Sequence, residues 1–550
     1  MQVLQNLHTT RGSQPSAHPA AELLRPVVEI EVFGKHGHFG TGQPFDPAKN
    51  LISVSTAKAL SQPTGSAQIQ LTGGVWGGPA TMSWLDLLNP MDMVIVRMGR
   101  SGPQSVKTVF CGYIMDLQEQ ADVSTPNQPR RSIAINAQDL NFGFTWPQLT
   151  VPPQSVSLPL SESKQPIVKE WAKLFKVFLD NSVPITFGGQ GGSQASWLAQ
   201  YLSAVTGGST HSFMSLTPSQ FIEALVVYVM PVLFGPITDL ALSGAAGSYS
   251  FNDFINLYLC DTTAFSYATF SPGPSDSSLW SMFLSFSNPP FFELFGDLRG
   301  ADQLSDLIPP PGQPGFGSSG QTGIETQVVG SAGAFAPPSL GPDGAQFYLV
   351  LRPTPYDPLD WARLITQTVP SEDVLGYTLG KAQASTKNLY LVYPESMMQT
   401  LSSVSARAFP GLADADSILN YGMAPAFYPL YGLANPTNTA SEQFVVDQTS
   451  VWNQRLYNWY WKNPEWLAGQ VQVTGDGRYR VGQKFSAPWW PLEAYIEGVS
   501  HTFVVFGEYR TTLTISRGAH PGERFPSSLA TTTPIGIPHA SKESVSGLGG

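Results

Sequence analysis

The sequence predicts a mainly β, multidomain protein: two similar small β-barrel domains per chain, accompanied by α+β accessory domains. Period-2 alternation predicts the strands. In VVEIEVF, Val28, Ile30 and Val32 fall on one face and Glu29 and Glu31 on the other. Composition points the same way. Only 13% of residues are charged, where roughly 25% is usual for soluble domains. The 52 Gly and 47 Pro exceed the usual roughly 7% and 5%. That balance suits strands, turns and long loops, with much surface covered by partner subunits in place of charge. The third observation is an internal echo. VFCGYIMDLQEQ…RRSIAINAQDL and YIEGVSHTFVVFGEYRTTLTISRG share one layout. Each has a strand containing a Gly (Gly112, Gly498), a polar or Gly turn, then an Arg-led strand alternating small polar residues with Ile or Leu.

The elements follow in order. Residues 1–25 are polar and without periodicity, an expected flexible arm. From Pro26 strands begin, and SAQIQLTGG places Ala67, Ile69 and Leu71 on one face. MDMVIVRMG, VKTVFCGYIMDLQEQ and RRSIAINAQDL continue the pattern, with ADVSTPNQP as a long hairpin loop before the last. Residues 26–148 are therefore read as the first barrel. Residues 149–344 change character to an α+β accessory domain with Gly/Pro-rich loops such as LIPPPGQPGFGSSGQTG. There Ile167, Trp171, Leu174, Phe175 and Phe178 recur at helical spacing. TPSQ starts a second helix, with Thr217 as N-cap, Pro218 at N1 and Gln220 at N3, running to about Met230.

Residues 345–405 and 470–518 are read as the second barrel, with 406–469 an inserted helical and aromatic domain. The barrel opens with QFYLVLRPTPYD and closes with the hairpin after Glu493. Val499, Phe503 and Val505 share a face in that hairpin; Tyr509, Leu513 and Ile515 share one on the return strand. Gly507 is expected in the turn, where a positive φ is often required. Residues 519–550 read as a linker.

Several function classes are disfavoured. The net charge of -11 argues against a protein that grips nucleic-acid phosphates, whose affinity comes mainly from Lys and Arg. Cys111 and Cys260 lie far apart, which fits neither a disulfide framework nor a cysteine metal site. The N-terminal stretch has no apolar core of the kind a secretory signal needs. The uncharged run Ala224–Thr238 is short of the roughly 20 residues of a membrane span and contains Pro231, so no stable membrane insertion is expected.

Four stretches, in order, resemble the central hub proteins of phage tail baseplates, the late-control-D-like family. They are VFCGYIMDLQEQ…SIAINAQDL, NPPFFELFGDLR (Asn288–Arg299), FYLVLRPTPYD (Phe347–Asp357) and YIEGVSHTF…RTTLTISRG. Together they span residues 26–518. The resemblance implies a homotrimer whose two barrels per chain form a pseudo-sixfold ring between a sixfold tail tube and a threefold spike. The implied partners are a tail tube or distal tail protein, the central spike (reached by 519–550), other baseplate proteins and the tape-measure protein, with DNA only in transit. The implied location is the virion tail, after synthesis in the host cytoplasm. Rival expectations are a tail-borne cell-wall-degrading enzyme and a receptor-binding tip protein.

No residue is proposed as catalytic, cofactor-binding or metal-binding, and no cofactor is expected. His36 and His38 are spaced as a strand-borne metal pair but lack a third ligand in view. Ser161–Lys164 matches Ser-x-x-Lys without its companion motifs. GGQGGS and GSSGQTG lack the Lys-Ser/Thr ending of a phosphate cradle. Asp414–Ser417 starts like a calcium loop but lacks its Gly and terminal Glu, and is read as a helix cap. His501 is read as a barrel residue, and the tryptophan-rich VWNQRLYNWYWKNPEW as core or interface. Glu293 and Asp297 are the carboxylate pair a glycosidase would need; nothing around them marks that chemistry.

Overall fold

The computed structural model describes residues 26–145, 254–261, 278–307, 326–331, 339–394, 411–430 and 439–525, with short breaks, together with Ser219, Ile222, Glu223 and Val226. The N-terminal arm, the helical spacing at 167–178, Ser161–Lys164, both glycine-rich loops and residues after 525 lie outside the described residues. Of the helix expected at 218–230, Ser219, Ile222 and Val226 are described and buried. Among the described residues no helix is long and apolar enough to cross a membrane.

The first seven strands are β1 (Val27–Gly34), β2 (Gly37–Phe39), β3 (Leu51–Ala59), β4 (Ser66–Thr72), β5 (Met93–Gly99), β6 (Lys107–Asp122) and β7 (Arg130–Asp139), of which β5 is buried along its whole length. In β4 the apolar Ala67, Ile69 and Leu71 are buried while Ser66 and Gln68 are exposed. Gly112 is required in β6, because a Cβ there would sit 1.9 Å from the Gln138 carbonyl oxygen. Two one-turn helices follow β4 and β7: α1 (Trp84–Leu87), held by a Ser83–Asp86 capping box, and α2 (Phe142–Thr145).

The middle of the chain supplies β8 (Ile255–Asp261), α3 (Leu279–Ser287), β9 (Phe292–Arg299), β10 (Thr326–Ser331) and β11 (Gln346–Pro353). These strands form a separate four-stranded sheet in the order β10-β8-β11-β9. Here the structure corrects the sequence reading, which assigned QFYLVLRP to the second barrel. β11 pairs with β8 and β9 and is buried on both faces from Phe347 onward, so it belongs at the centre of a covered sheet.

The remaining elements are α4 (Pro358–Arg363), β12 (Thr366–Thr368), β13 (Val374–Gly380), β14 (Leu389–Pro394), β15 (Leu412–Ala413), α5 (Ala415–Tyr421), β16 (Pro425–Leu430), α6 (Thr439–Tyr460), β17 (Leu467–Thr474), β18 (Lys484–Ala487), β19 (Leu492–Val504) and β20 (Tyr509–Ala519). β14 also departs from the expected second barrel, pairing with β15 and β16 in a three-stranded sheet. α6 packs the tryptophan-rich stretch into the core through Trp452, Leu456, Tyr457 and Trp459.

The protein is mainly β, and its largest sheet is 13-stranded, in the order β13-β17-β20-β19-β3-β4-β7-β6-β5-β1-β2, with β18 joining β19 to β12. The strands expected to form two separate barrels therefore share one sheet. Among the described residues the pairing does not close either set into a barrel. The junction is β19 against β3, from Gly498↔Ala59 to Val504↔Ser53.

This sheet contains one six-strand motif twice. The order β3-β4-β7-β6-β5-β1 is matched by β13-β17-β20-β19-β18-β12, strand for strand in the same chain order. The irregularities coincide too. β3 and β13 each carry a bulge at the second residue, Ile52 and Leu375. β6 and β19 each carry one, at Met115 and Glu497. Two residues before those bulges stand Tyr113 and Tyr495, opposite the first residues of β5 and β18, Met93 and Lys484. This register revises the sequence echo: Gly498 corresponds to Asp116, not to Gly112. The copies differ at their far edge, where β1 is antiparallel to β5 but β12 is parallel to β18.

The closing hairpin also differs from expectation in its turn. Phe503 pairs with Tyr509, and the positive φ of 58° falls on Phe506, while Gly507 donates its N–H to the Val504 carbonyl. Phe506 is fully exposed at the tip.

After β20 the chain returns to the helical layer. The Arg524 guanidinium lies 3.6 Å from the Trp361 ring centroid, with Trp459 at 4.9 Å and Trp466 at 5.3 Å. It is buried, and its Nη1 donates to the Arg517 carbonyl. A desolvated cation over an aromatic face contributes about 2 kcal/mol. Arg524→Ala is therefore expected to speed amide hydrogen exchange at residues 520–525 by about 30-fold, leaving β19 and β20 protected. Exchange followed by mass spectrometry checks this.

Candidate functional site

The two motif copies meet over buried polar side chains. On β5, Arg97 donates from Nε and Nη2 to the Leu340 carbonyl (2.9 and 2.6 Å) and pairs with Glu31 at 3.1 Å. This ties the first copy to the loop before β11. Arg480, ahead of β18, donates to the Thr108 carbonyl on β6 at 2.7 Å, tying the second copy to the first. From the middle sheet, Arg299 donates to the Val481 carbonyl and Arg352 to the Gly482 carbonyl. Lys58 on β3 pairs with Asp139 at 2.6 Å, and Asp139 also accepts from the Gly65 N–H. Between these elements lies a cavity of about 40 Å³, lined in part by Lys58, Asp139, Asp297, Arg480 and His501. It is large enough for water rather than an organic ligand.

His501 sits on β19, where alternation with Val499 and Phe503 turns it inward, and its Nδ1 is 3.0 Å from Thr511 Oγ1. Burial, and secondarily the positive Arg480, lowers its imidazole to about 3. The unfolded chain near 6.5 binds the proton more tightly, so His501 favours folding fully above pH 6.5 and loses that contribution as pH falls from 6.5 toward 3. At about 1.4 kcal/mol per unit, this residue costs about 2 kcal/mol of stability between pH 7 and pH 5. Urea unfolding at the two pH values should show that loss in the natural protein and its absence in His501→Asn.

The opposite face of the sheet is different in kind. Across six strands and both copies runs one row of uncharged small or amide residues: Gln138, Ser66, Ala57, Ser500, Thr512 and Gln472, each opposite the next. The neighbouring row is Asn136, Gln68, Ser55, Thr502, Arg510 and Thr474. Its single cation, Arg510, is paired with Glu508 at 3.2 Å. Part of this face forms a groove of about 330 Å³ between Ser55, Gln68, Asn136 and Ser500. The surface hydrates well and offers almost nothing to hold a phosphate.

The sheet also ends in free edges. Among the described residues β13 has β17 on one side and no strand on the other. Its Tyr377 is 45% exposed and Leu375 55% exposed. Val54, at the position in β3 equivalent to Tyr377, is 0% exposed because β19 covers it. Among the described residues the outer half of β6, Met115 to Asp122, pairs only with β7.

The residues weighed in the sequence take these places. His38 stacks on Phe33 at 4.3 Å and lies 4.0 Å from Glu31. Among the described residues no group of three or more His, Cys, Asp or Glu is arranged to hold a metal. Asp414 caps α5, accepting from the Ser417 N–H. Glu293 and Asp297 lie on β9, each engaged by an arginine: Arg352 Nε to Glu293 at 3.2 Å, Arg299 Nε to Asp297 at 3.0 Å. Glu293 also accepts from the Tyr495 hydroxyl at 2.6 Å. Cys111 and Cys260 are buried thiols.

By sequence the chain matches no family model and none of the curated proteins. Solved structures with similarity over most of the chain are found. The tail protein of Neisseria meningitidis MC58 is 10% identical at a TM-score of 0.40, covering 90% of this chain and 96% of that one. The 43 kDa tail protein of prophage MuSo2 from Shewanella oneidensis is 8% identical at 0.40, covering 89% and 98%. The E. coli c3393 protein, a type VI secretion component described as similar to the T4 tail proteins gp27 and gp5, is 10% identical at 0.36, covering 92% and 80%.

Proposed function

We propose that this chain is the structural hub of a phage tail baseplate or tail tip, and that it works as an assembly element without catalysis of its own. The observation that carries the reading is the duplicated six-strand motif, joined edge to edge within the chain and ending in edges that are free among the described residues. A motif that already pairs with its own copy can pair again with the copy in the next subunit. Such a head-to-tail contact is heterologous, and it closes into a ring where the rotation permits. Three subunits would present six motifs. A ring of that kind matches a sixfold tube on one side and a threefold spike on the other. The polar, almost uncharged rows on the sheet supply a wall along which DNA passes without being gripped. The low charge content suits surfaces that are buried in permanent contacts.

Negative-stain images of the purified protein test the proposal. Ring-shaped particles with an open centre and true threefold symmetry are expected. Solid particles, together with cleavage of peptidoglycan by the pure protein, would favour a lytic enzyme instead.

A further inference from the structure

We propose that β13 of one subunit adds to the outer half of β6 in the next, in the register by which β3 already pairs with β19 inside each chain. The inference deepens the ring reading and rests on it for the expectation that copies associate. The register comes from the duplication alone. β3 corresponds to β13 through their shared second-residue bulge, so Ala57 corresponds to Gly380, the last residue of β13, and Lys58 and Ala59 correspond to Lys381 and Ala382 just beyond its end. β19 corresponds to β6 through the bulges at Glu497 and Met115, so Gly498, Val499 and Ser500 correspond to Asp116, Leu117 and Gln118. Within the chain Gly498 faces Ala59, Val499 faces Lys58 and Ser500 faces Ala57. Between chains Asp116 then faces Ala382, Leu117 faces Lys381 and Gln118 faces Gly380.

Three features of the two edges agree with this pairing. Among the described residues the outer half of β6 lacks the neighbour that β3 provides to β19, and Gln118, Glu119, Gln120 and Ala121 are exposed there. β13 is an edge whose Tyr377 and Leu379 stand at the positions that Val54 and Thr56 fill as buried residues in β3. The edge is not blunted by proline or by an inward charge, the usual protections of a strand meant to remain unpaired. The register also sets Lys381 diagonally across from Glu119, within reach of an opposite-charge cross-strand contact.

Cysteine pairs in the full-length chain test the register. Gln118→Cys with Gly380→Cys places thiols directly opposite. Gln118→Cys with Gly376→Cys keeps the same faces but moves one thiol four residues away. A Cβ at either glycine meets nothing within 4 Å, and the natural Cys111 and Cys260 are buried. After mild oxidation the first variant should form covalent multimers at least tenfold more efficiently than the second. Equal or weaker cross-linking of the first variant, in protein that light scattering shows to be assembled, would overturn the register and leave the ring standing. Protein that stays monomeric and uncrosslinked at every concentration would overturn both. Charge reversal gives a second reading that needs no new thiol. Glu119→Lys and Lys381→Glu should each weaken assembly several-fold, and the double variant should restore it. Failure of that restoration would count against the pairing.

Discussion

Arg352→Met is expected to destabilise the protein by about 3–5 kcal/mol, the usual effect of removing one partner from a buried ion pair. Arg352 projects from β11 into the junction of the middle sheet with the second motif copy. Its Nε donates to Glu293 at 3.2 Å, and its Nη2 donates to the Gly482 carbonyl at 2.7 Å and the Tyr495 hydroxyl at 3.0 Å. Its guanidinium also lies 5.2 Å from the Phe295 ring centroid. Methionine fills much of the volume but leaves the Glu293 carboxylate in the core without its cation. Gly482 adapts to this residue specifically: its φ is +73°, and a Cβ there would stand 2.5 Å from Arg352 Nη2. Adding Glu293→Gln should recover part of the loss, because the stranded charge is then gone. Urea unfolding of the single and double variants measures both effects. A loss below about 1 kcal/mol in the single variant would show that the junction does not depend on this pair.

The second large effect is on assembly. Tyr377→Asp combined with Leu379→Asp should leave each chain folded, because both residues lie on an edge strand and Tyr377 is already 45% exposed. Burying two such side chains contributes about 1.5–3 kcal/mol each, and two carboxylates at the same places oppose it. The concentration needed for half assembly should rise at least about 100-fold. Sedimentation velocity over a dilution series measures the shift. An unchanged series would place the subunit contact elsewhere.

Local pattern made the strands legible. Ala67, Ile69 and Leu71, or Val28, Ile30 and Val32, alternate so regularly that a half-buried strand follows directly. The partnerships were less accessible. QFYLVLRP reads equally well as any strand, and only its burial on both faces places β11 in the middle sheet. Gly507 lies in the turn as its sequence suggests, but the positive φ expected of a glycine falls on the preceding Phe506.

The duplication was glimpsed through Gly112 and Gly498, in the wrong register. A clearer signal was present: AQIQLT at 67–72 and GQVQVT at 469–474 hold equivalent strands, and both β3 and the segment that begins with β13 run on to Lys-Ala, at 58–59 and 381–382. Bulges cannot be read from composition, yet they fix the correspondence. The uncharged row is likewise invisible without the pairing, since Gln138, Ser66, Ala57, Ser500 and Thr512 come from five separate strands.

The central claim is that duplicated motifs continue from one chain to the next and close a ring. The most direct test is the mass of the purified full-length protein in solution by light scattering. The account predicts three times the mass of one chain, with little dependence on concentration once assembled. A mass of one chain at every concentration would contradict it.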